Sequence, residues 1–498
     1  MSATLWRGPL GAPMHAAVQR YLSSFAEDFA VADTDVDVGE AHALALAAAG
    51  VLGRRDLRRV LRGYEQARRW CAGPGARAAA ARSAFHDIHP LIEQQVAAAA
   101  GGTTGGSIHL GKSRNDQVAT DIGVHARRGL LEAARETAAL HGALVALARR
   151  EARTPLPVFT HARPAQAGTA AFWALAHAAA LGRDAERLLA ARARLNRCPL
   201  GAAAAAGTSV PLDRALTARL LGFDGVWEHA LDATSARDQA LEGLAAMAIL
   251  MSSLSRLAAD LTWLAGPEMG VLEYPDALAD TSSAMPQKKN PDPLELLRGR
   301  AGAMAGALAG ALGVVHGLPS GYSRDLQELK PILWRALDQA GPSAMVARLV
   351  MEGVRIHPGR AVEILDRGFA AALDLAEVLS LDHGVPFRRA HFAVGRLVRS
   401  LAGSGRTFSR CGAAEASAAL GAAVGRPVAL SEAAWRAAVD PIAGAARRRT
   451  RGGPGDGTRL LREAAGVQRT LDAAIRRATA REDAARRALR AAVARAAR

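Results

Sequence analysis

Lysine is scarce in this chain: of 63 basic residues among 498, only Lys112, Lys288, Lys289 and Lys330 are lysines, which leaves 59 arginines. Arginine stands wherever a surface charge suffices, so the retained ammonium groups mark places that need a compact point charge rather than a planar guanidinium. Cysteine is also sparse. Cys71, Cys198 and Cys411 are odd in number, widely separated and free of any CxxC pair, which argues against both a disulfide scaffold and a zinc site. Aromatic residues make up 4% of the chain and β-branched runs are short, whereas Ala, Leu and Arg recur throughout. That balance predicts a nearly all-α protein. No apolar stretch reaches the roughly 18–20 uninterrupted residues of a membrane span; "LAAMAILMSSLSRLAADLTWLAG" is broken by serines, Arg256 and Asp260. The start "MSATLWRGPLGAPMH" has no basic segment followed by an apolar one, so a cytoplasmic protein without a membrane partner is expected.

The formal net charge of +16 raises the question of nucleic acid, which binds clustered cations. Here the basic residues are spread along helical faces with little aromatic interleaving. The denser runs "ARRRTR" and "REDAARRALRAAVARAAR" near the C-terminus read as solvated helix faces, and no nucleic-acid partner is expected. Long Ala/Leu segments beginning "NDQVATDIGVHARRGLL", "QAGTAAFWALAHAAALG", "ATSARDQALEGLAAMAIL" and "PLELLRGRAGAMAGAL" run beyond the usual globular helix and predict a bundle of long helices. We expect an N-terminal helical domain over residues 1–110, a central long-helix bundle over 111–365 and a C-terminal helical domain over 366–498. The glycines of "AAAAGGTTGGSIHLG" predict a loop between the first two. No GxGxxG, Walker, HExxH or GxSxG pattern occurs, which leaves the common nucleotide, zinc-protease and hydrolase motifs without support.

What is present instead is a set of polar islands between apolar helices: "SIHLGKSRNDQVATD" (107–121), "VFTHARPAQAGTA" (158–170), "DTSSAMPQKKNPDPLE" (280–295) and "GYSRDLQELK" (321–330). Each mixes hydroxyls, amides and a cation at an expected helix boundary. Taken singly, each has a structural reading: Asn115, Asp116 or Thr160 as a helix cap, and Asn290-Pro291-Asp292 as a helix start with proline near the first position.

Together the islands resemble the argininosuccinate lyase family of the fumarase/aspartase superfamily. "MPQKKNPD", with two serines before it and "LELLRGRAG" after it, matches the superfamily motif in its argininosuccinate lyase form, and "SRNDQVATD" is a second motif. "LWRGPL", "DIHPLIE" (87–93), "GVPFRRAH" (384–391) and "VDPIAGAARRRTRGGPG" follow in the family's order. The resemblance implies a homotetramer with a twenty-helix core, active sites assembled from three subunits, and β-elimination of fumarate from an N-substituted aspartate without cofactor or metal.

Removing a proton from the carbon beside a carboxylate creates a dianionic aci-carboxylate, so such a site needs a base and concentrated positive charge. Lys288 is the natural countercharge, with Asn290, Arg114 and Asn115 as carboxylate anchors. The resemblance makes Ser282 the base, activated by cations and backbone N–H groups when its loop excludes solvent. It makes His161 the residue that moves a proton to the departing nitrogen, with Glu295 orienting it. Thr160 and His89 join the binding set, and Ser24, Asp28, Tyr322, Gln327 and Lys330 would hold the arginine half of the substrate. The family usually carries a Thr-Gly pair where this chain has Asp280-Thr281, losing a glycine hinge. Three readings stay open at this level: argininosuccinate lyase activity, release of fumarate from another N-succinyl compound, and an inactive structural role of the delta-crystallin kind.

Overall fold

The computed structural model describes residues 12–83 and 85–498; the "LWRGPL" motif lies outside the described residues. The body is built from the helices Arg114–Arg150, Ala170–Leu195, Asp238–Leu264, Asp292–Val315 and Leu329–Gly353, called here the first to fifth bundle helices. The first packs on the second and fifth, and the third on the second and fourth. Their Ala and Leu positions face one another in a continuous core, with Leu130, Leu140, Leu144, Leu181, Leu188, Met247, Leu250, Leu254 and Leu257 each 1% exposed or less. The all-α expectation holds, and the Ala/Leu segments named above are the first four bundle helices. By length and composition the third is apolar enough to cross a membrane. Its stripe Leu244, Met247, Leu250, Leu254, Leu257 and Leu261 is bundle core instead, which accounts for that composition without a bilayer.

Separate apolar clusters flank the bundle. One lies between the helices Ala32–Ala48, Arg54–Ala72 and Ile88–Ala100, around Val36, Leu46, Val60, Leu61 and Ile92. Another joins Leu375, Leu379, Leu397, Leu401, Phe408, Leu420 and Trp435 near the C-terminus.

Two local expectations fail. The glycine-rich segment is helical over Gly102–Ser107, because packing overrides propensity: a Cβ on Gly105 would sit 2.8 Å from the Ala97 Cα, and the Thr104 hydroxyl donates to Asp56 at 2.9 Å. The segment around His161, expected at a helix boundary, is an antiparallel hairpin of β1 (Pro155–Thr160) and β2 (Arg163–Thr169). Pro155, Pro157 and Pro164 disfavour helix there, and the second bundle helix begins only where the Thr169 hydroxyl accepts the Phe172 N–H at 3.1 Å.

The C-terminal helix Gly457–Ala496 lies back along the first and second bundle helices, burying Leu471 and Ile475 against Leu131, Ala138 and Ala185. Its Glu482 carboxylate is 2.6 Å from Nε of Arg127 and 2.8 Å from Nη2 of Arg192. Arg127 is fully buried and also donates to Asn196 Oδ1 at 2.7 Å and the Leu221 carbonyl at 2.9 Å. Breaking a buried ion pair by removing one partner costs roughly 3–5 kcal/mol, because the remaining charge is left uncompensated. Glu482→Ala should therefore lower the unfolding free energy by about that amount, read from urea midpoints at unchanged slope; a loss below about 0.5 kcal/mol would show that water replaces the carboxylate.

Candidate active site

The first bundle helix starts with a capping box: the Ser113 hydroxyl accepts the Asn115 N–H, and Asp116 accepts the Ser113 N–H at 2.8 Å. The other Asp116 oxygen accepts the Gly201 and Ala203 N–H groups, each at 2.8 Å. Arg114 and Asn115 are thereby placed on one helical turn. Arg114 approaches Asp87 at 4.0 Å and donates to Gln117 at 3.3 Å, and the Asn115 amide donates to the Ala204 carbonyl at 2.9 Å.

Beside them Ser24, Asp28, Gln327 and Lys330 converge. Asp28 is fully buried, accepts the Ser24 hydroxyl at 2.8 Å and the Ile88 N–H at 3.4 Å, and forms an ion pair with the buried Lys330. Gln327 donates to the Leu22 carbonyl at 3.5 Å, and the Trp334 indole N–H to that of Glu27 at 3.0 Å. These bonds seat the start of the fifth bundle helix against the segment around Asp28.

Buried His89 closes this cluster, its Nδ1 lying 3.1 Å from Asp35 and 3.8 Å from Asp121. Burial raises both carboxyls, but the His89 charge, its hydrogen bond, Lys112 and Gln117 hold Asp35 below the usual range. At Asp121 burial and then the Asp35 charge outweigh the pull of Lys112 and push it well up, so it carries the proton of the pair. Ligand-type atoms of Asp35, His89 and Asp121 lie within 4.8 Å of one another, as do those of Asp28, Asp87 and His89. Lys330 at Asp28 and Arg114 near Asp87 already supply positive charge to the second group.

Of the remaining residues Lys288, Glu295, Thr160 and His161 are exposed, while Ser282, Asn290 and Tyr322 are half-buried. Asp280–Thr281 pairs with Lys289–Asn290, closing the loop Ser282–Lys288 at its base. Extended backbone needs no glycine, so Asp280 and Thr281 form the root of the loop and the turn lies beyond them. Within it the Ser282 hydroxyl oxygen accepts the N–H groups of Ala284 at 3.3 Å and Met285 at 3.1 Å. Lys289 is bound to Asp276 at 2.7 Å and to the Tyr274 carbonyl, whereas Lys288 is exposed and its ammonium has no partner among the described residues. Glu295, in the first turn of the fourth bundle helix, faces Tyr274, whose phenol burial and then the Glu295 charge push up. A cavity of about 410 Å³ lined by Asp280, Asp292, Leu296 and Arg300 opens beside the loop.

Thr160 and His161 occupy the β-hairpin tip, where Thr160 pairs with Arg163 across a two-residue turn. His161 has φ 52° and Ala162 φ 57°, the left-handed pair of a type I′ turn that usually takes Asn-Gly. For residues with a Cβ this conformation costs about 1–2 kcal/mol each. Among the described residues no hydrogen bond or ion pair joins His161 to Ser282 or Glu295, whereas Ser24, Asp28 and Lys330 are bonded to one another.

Arg237 is the site candidate that sequence reasoning misses. It opens the third bundle helix, is 4% exposed, and donates to the carbonyls of Ala236 at 2.7 Å and Thr234 at 3.4 Å, while Nε and Nη2 lack partners among the described residues. Burial pushes it down to about 10, and Tyr322 is the neighbour that opposes the fall. Its signal in the sequence is only one arginine among 59.

These elements form a lyase fold with a polar edge of carboxylates paired to cations. Residues 8–306 match the Lyase family model, and residues 369–440 match that of the argininosuccinate lyase C-terminal region. The argininosuccinate lyase of Methanosarcina acetivorans is 38% identical, over 91% of this chain and 90% of its own. That of Thermus thermophilus is 40% identical, over 82% and 88%. The structure of an EDDS lyase in complex with formate has a TM-score of 0.86 at 28% identity, covering 94% of this chain and 92% of the other. The chain belongs to the argininosuccinate lyase family.

Buried His42, beside this region, is 3.0 Å from the Leu110 carbonyl through Nε2. Burial and then the Lys112 ammonium push it down to about 3 from an ordinary 6.5. Between those values the unfolded chain binds a proton that the folded ring refuses, so the contribution is whole above 6.5 and is lost as pH falls. His42→Gln should flatten the decline in unfolding free energy between pH 6.5 and 4; an unchanged slope would mean the ring is protonated in place.

Proposed function

We propose that the protein cleaves argininosuccinate into arginine and fumarate by β-elimination. The observation that carries this reading is the Ser282 loop: a hydroxyl oxygen receiving two backbone N–H groups, six residues before the Lys288 ammonium, which has no partner among the described residues. Two N–H donors favour the oxyanion, which is what a serine needs to act as base. Ser282 takes the proton from the carbon beside the carboxylate; Lys288 and Asn290 stabilise the resulting dianion, with Arg114, Asn115, Thr160 and Arg237 as further donors. His161, oriented by Glu295, protonates the departing nitrogen. Asp28, held in place by Ser24 and Lys330, offers a carboxylate for the guanidino half, with His89, Tyr322 and Gln327 around it.

The lack of any hydrogen bond or ion pair joining His161 to Ser282 or Glu295 among the described residues supports a site completed by other copies in a homotetramer. The fourth bundle helix supports the same reading: of its 24 residues only Leu294, Leu297, Met304 and Ala311 are buried, while Leu296 is 58% and Leu312 52% exposed. An apolar helix left open in one chain is a surface for helices of another. The expected lobes 1–110, 111–365 and 366–498 belong to this reading, supported by the separate apolar clusters at either end, as does a cytoplasmic location.

Purified protein given argininosuccinate should release fumarate, followed by its absorbance, with arginine identified by mass. Ser282→Ala should reduce kcat by roughly a thousandfold or more, the scale of losing a general base. Turnover of a different N-succinyl compound with none of argininosuccinate would overturn the substrate, and full activity in Ser282→Ala would overturn the base. Light scattering should give a tetramer, and Leu312→Arg a smaller species without turnover.

A further inference from the structure

The motif "ARRRTRGGPG" has no part in the chemistry described so far. Its Arg448 reaches across three segments: Nη1 donates to the Ala167 carbonyl of β2 at 2.6 Å, and Nη2 pairs with the Asp374 carboxylate at 2.6 Å. The side chains are 15% and 2% exposed, so both bonds are charge-assisted and largely shielded from water. The glycines that follow hold Arg448 from behind. A Cβ on Gly453 would lie 2.4 Å from the Arg448 carbonyl oxygen, and one on Gly455 would lie 2.6 Å from that of Ala446, while the Gly455 N–H donates to the Arg448 carbonyl at 3.1 Å. Ala167 is also packed with Leu365, Ala370 and Ala445 in a small apolar cluster.

The other end of the same hairpin carries the left-handed residues His161 and Ala162. A two-stranded hairpin is marginal by itself, and its register slips between Val158 and Phe159. Strained backbone persists only where its surroundings over-determine it. We propose that Arg448 is a positioning residue: by pinning β2 to Asp374 it holds the strained tip that presents the His161 imidazole. The role in turnover rests on the reading of His161 as the proton-transfer residue. Arg448 acts through backbone, and the C-terminal lobe is thereby coupled to proton transfer.

The test compares full-length enzyme with Arg448→Met, which removes both bonds, and Arg448→Lys, which keeps the charge. In Arg448→Met, hydrogen exchange should quicken in peptides spanning 155–169 while the bundle helices stay protected. With argininosuccinate, kcat should fall by roughly a hundredfold, the penalty of misplacing a reacting group by about 1 Å, with KM changed less than about twofold. The limb of the kcat–pH profile that His161→Gln abolishes should move, and Arg448→Lys or added guanidinium should restore part of kcat. Unchanged exchange at 155–169, or loosening spread evenly over the molecule, overturns the proposal. If His161→Gln keeps full kcat, the reading of His161 falls, and the exchange result still decides whether Arg448 holds the tip. Should Arg448→Met not fold, Asp374→Asn and Arg448→Lys carry the same comparisons.

Discussion

The buried carboxylate of Asp116 is the contact on which the arrangement of anchors depends. It closes the capping box of the longest bundle helix and accepts two N–H groups from the loop after the second. Backbone donors at a helix start and in a buried loop must be met by something, and one side chain meets both sets. Arg114 and Asn115 owe their common direction to that cap, and the loop carrying Ala204 is brought within reach of Asn115 by it. The bundle supplies mass and rigidity; this carboxylate determines where its polar end begins.

Around that point the molecule divides its polar groups by solvent access. Asp28, Lys330, Asp35, His89 and Asp121 are enclosed, and their charges are settled among themselves through pairing and a retained proton. Ser282, Lys288, Glu295 and His161 stand on loops and helix ends. Enclosed groups keep geometry because moving them would expose an unpaired charge, whereas exposed tips can move at little expense. Such a division suits the proposed site, with a rigid floor and with mobile groups above it that loop closure would bring to the substrate.

Much of this was legible in the chain. The first four bundle helices follow from Ala/Leu periodicity, because packing faces of that length leave little alternative. The helix start near Asp116 and the loop at Ser282 were visible as crowded polar residues, but the cap itself is Ser113, one or two residues before the Asn115 or Asp116 expected, with Asp116 closing the box. Arg237 was not, since a buried guanidinium with Nε and Nη2 unbonded among the described residues is recognised by what surrounds it in space. The hairpin at His161 was hidden for a related reason: its left-handed turn carries His-Ala where the usual cue is Asn-Gly. The glycine-rich helix at Gly102–Ser107 also escaped, because close contact with Ala97 decides it.

Composition and pattern by themselves determined an all-α chain of long helices, its rare lysines as candidates for charge placement, and the family to which the motifs point. Those properties are local, arising from propensity, periodicity and short runs of residues. Only the tertiary structure decided that Asp280 and Thr281 are the root of a loop, that Arg448 grips β2, and that β1 and β2 pair into the hairpin whose tip carries His161. Each of these depends on contacts between residues distant in sequence, whose geometry no local pattern encodes.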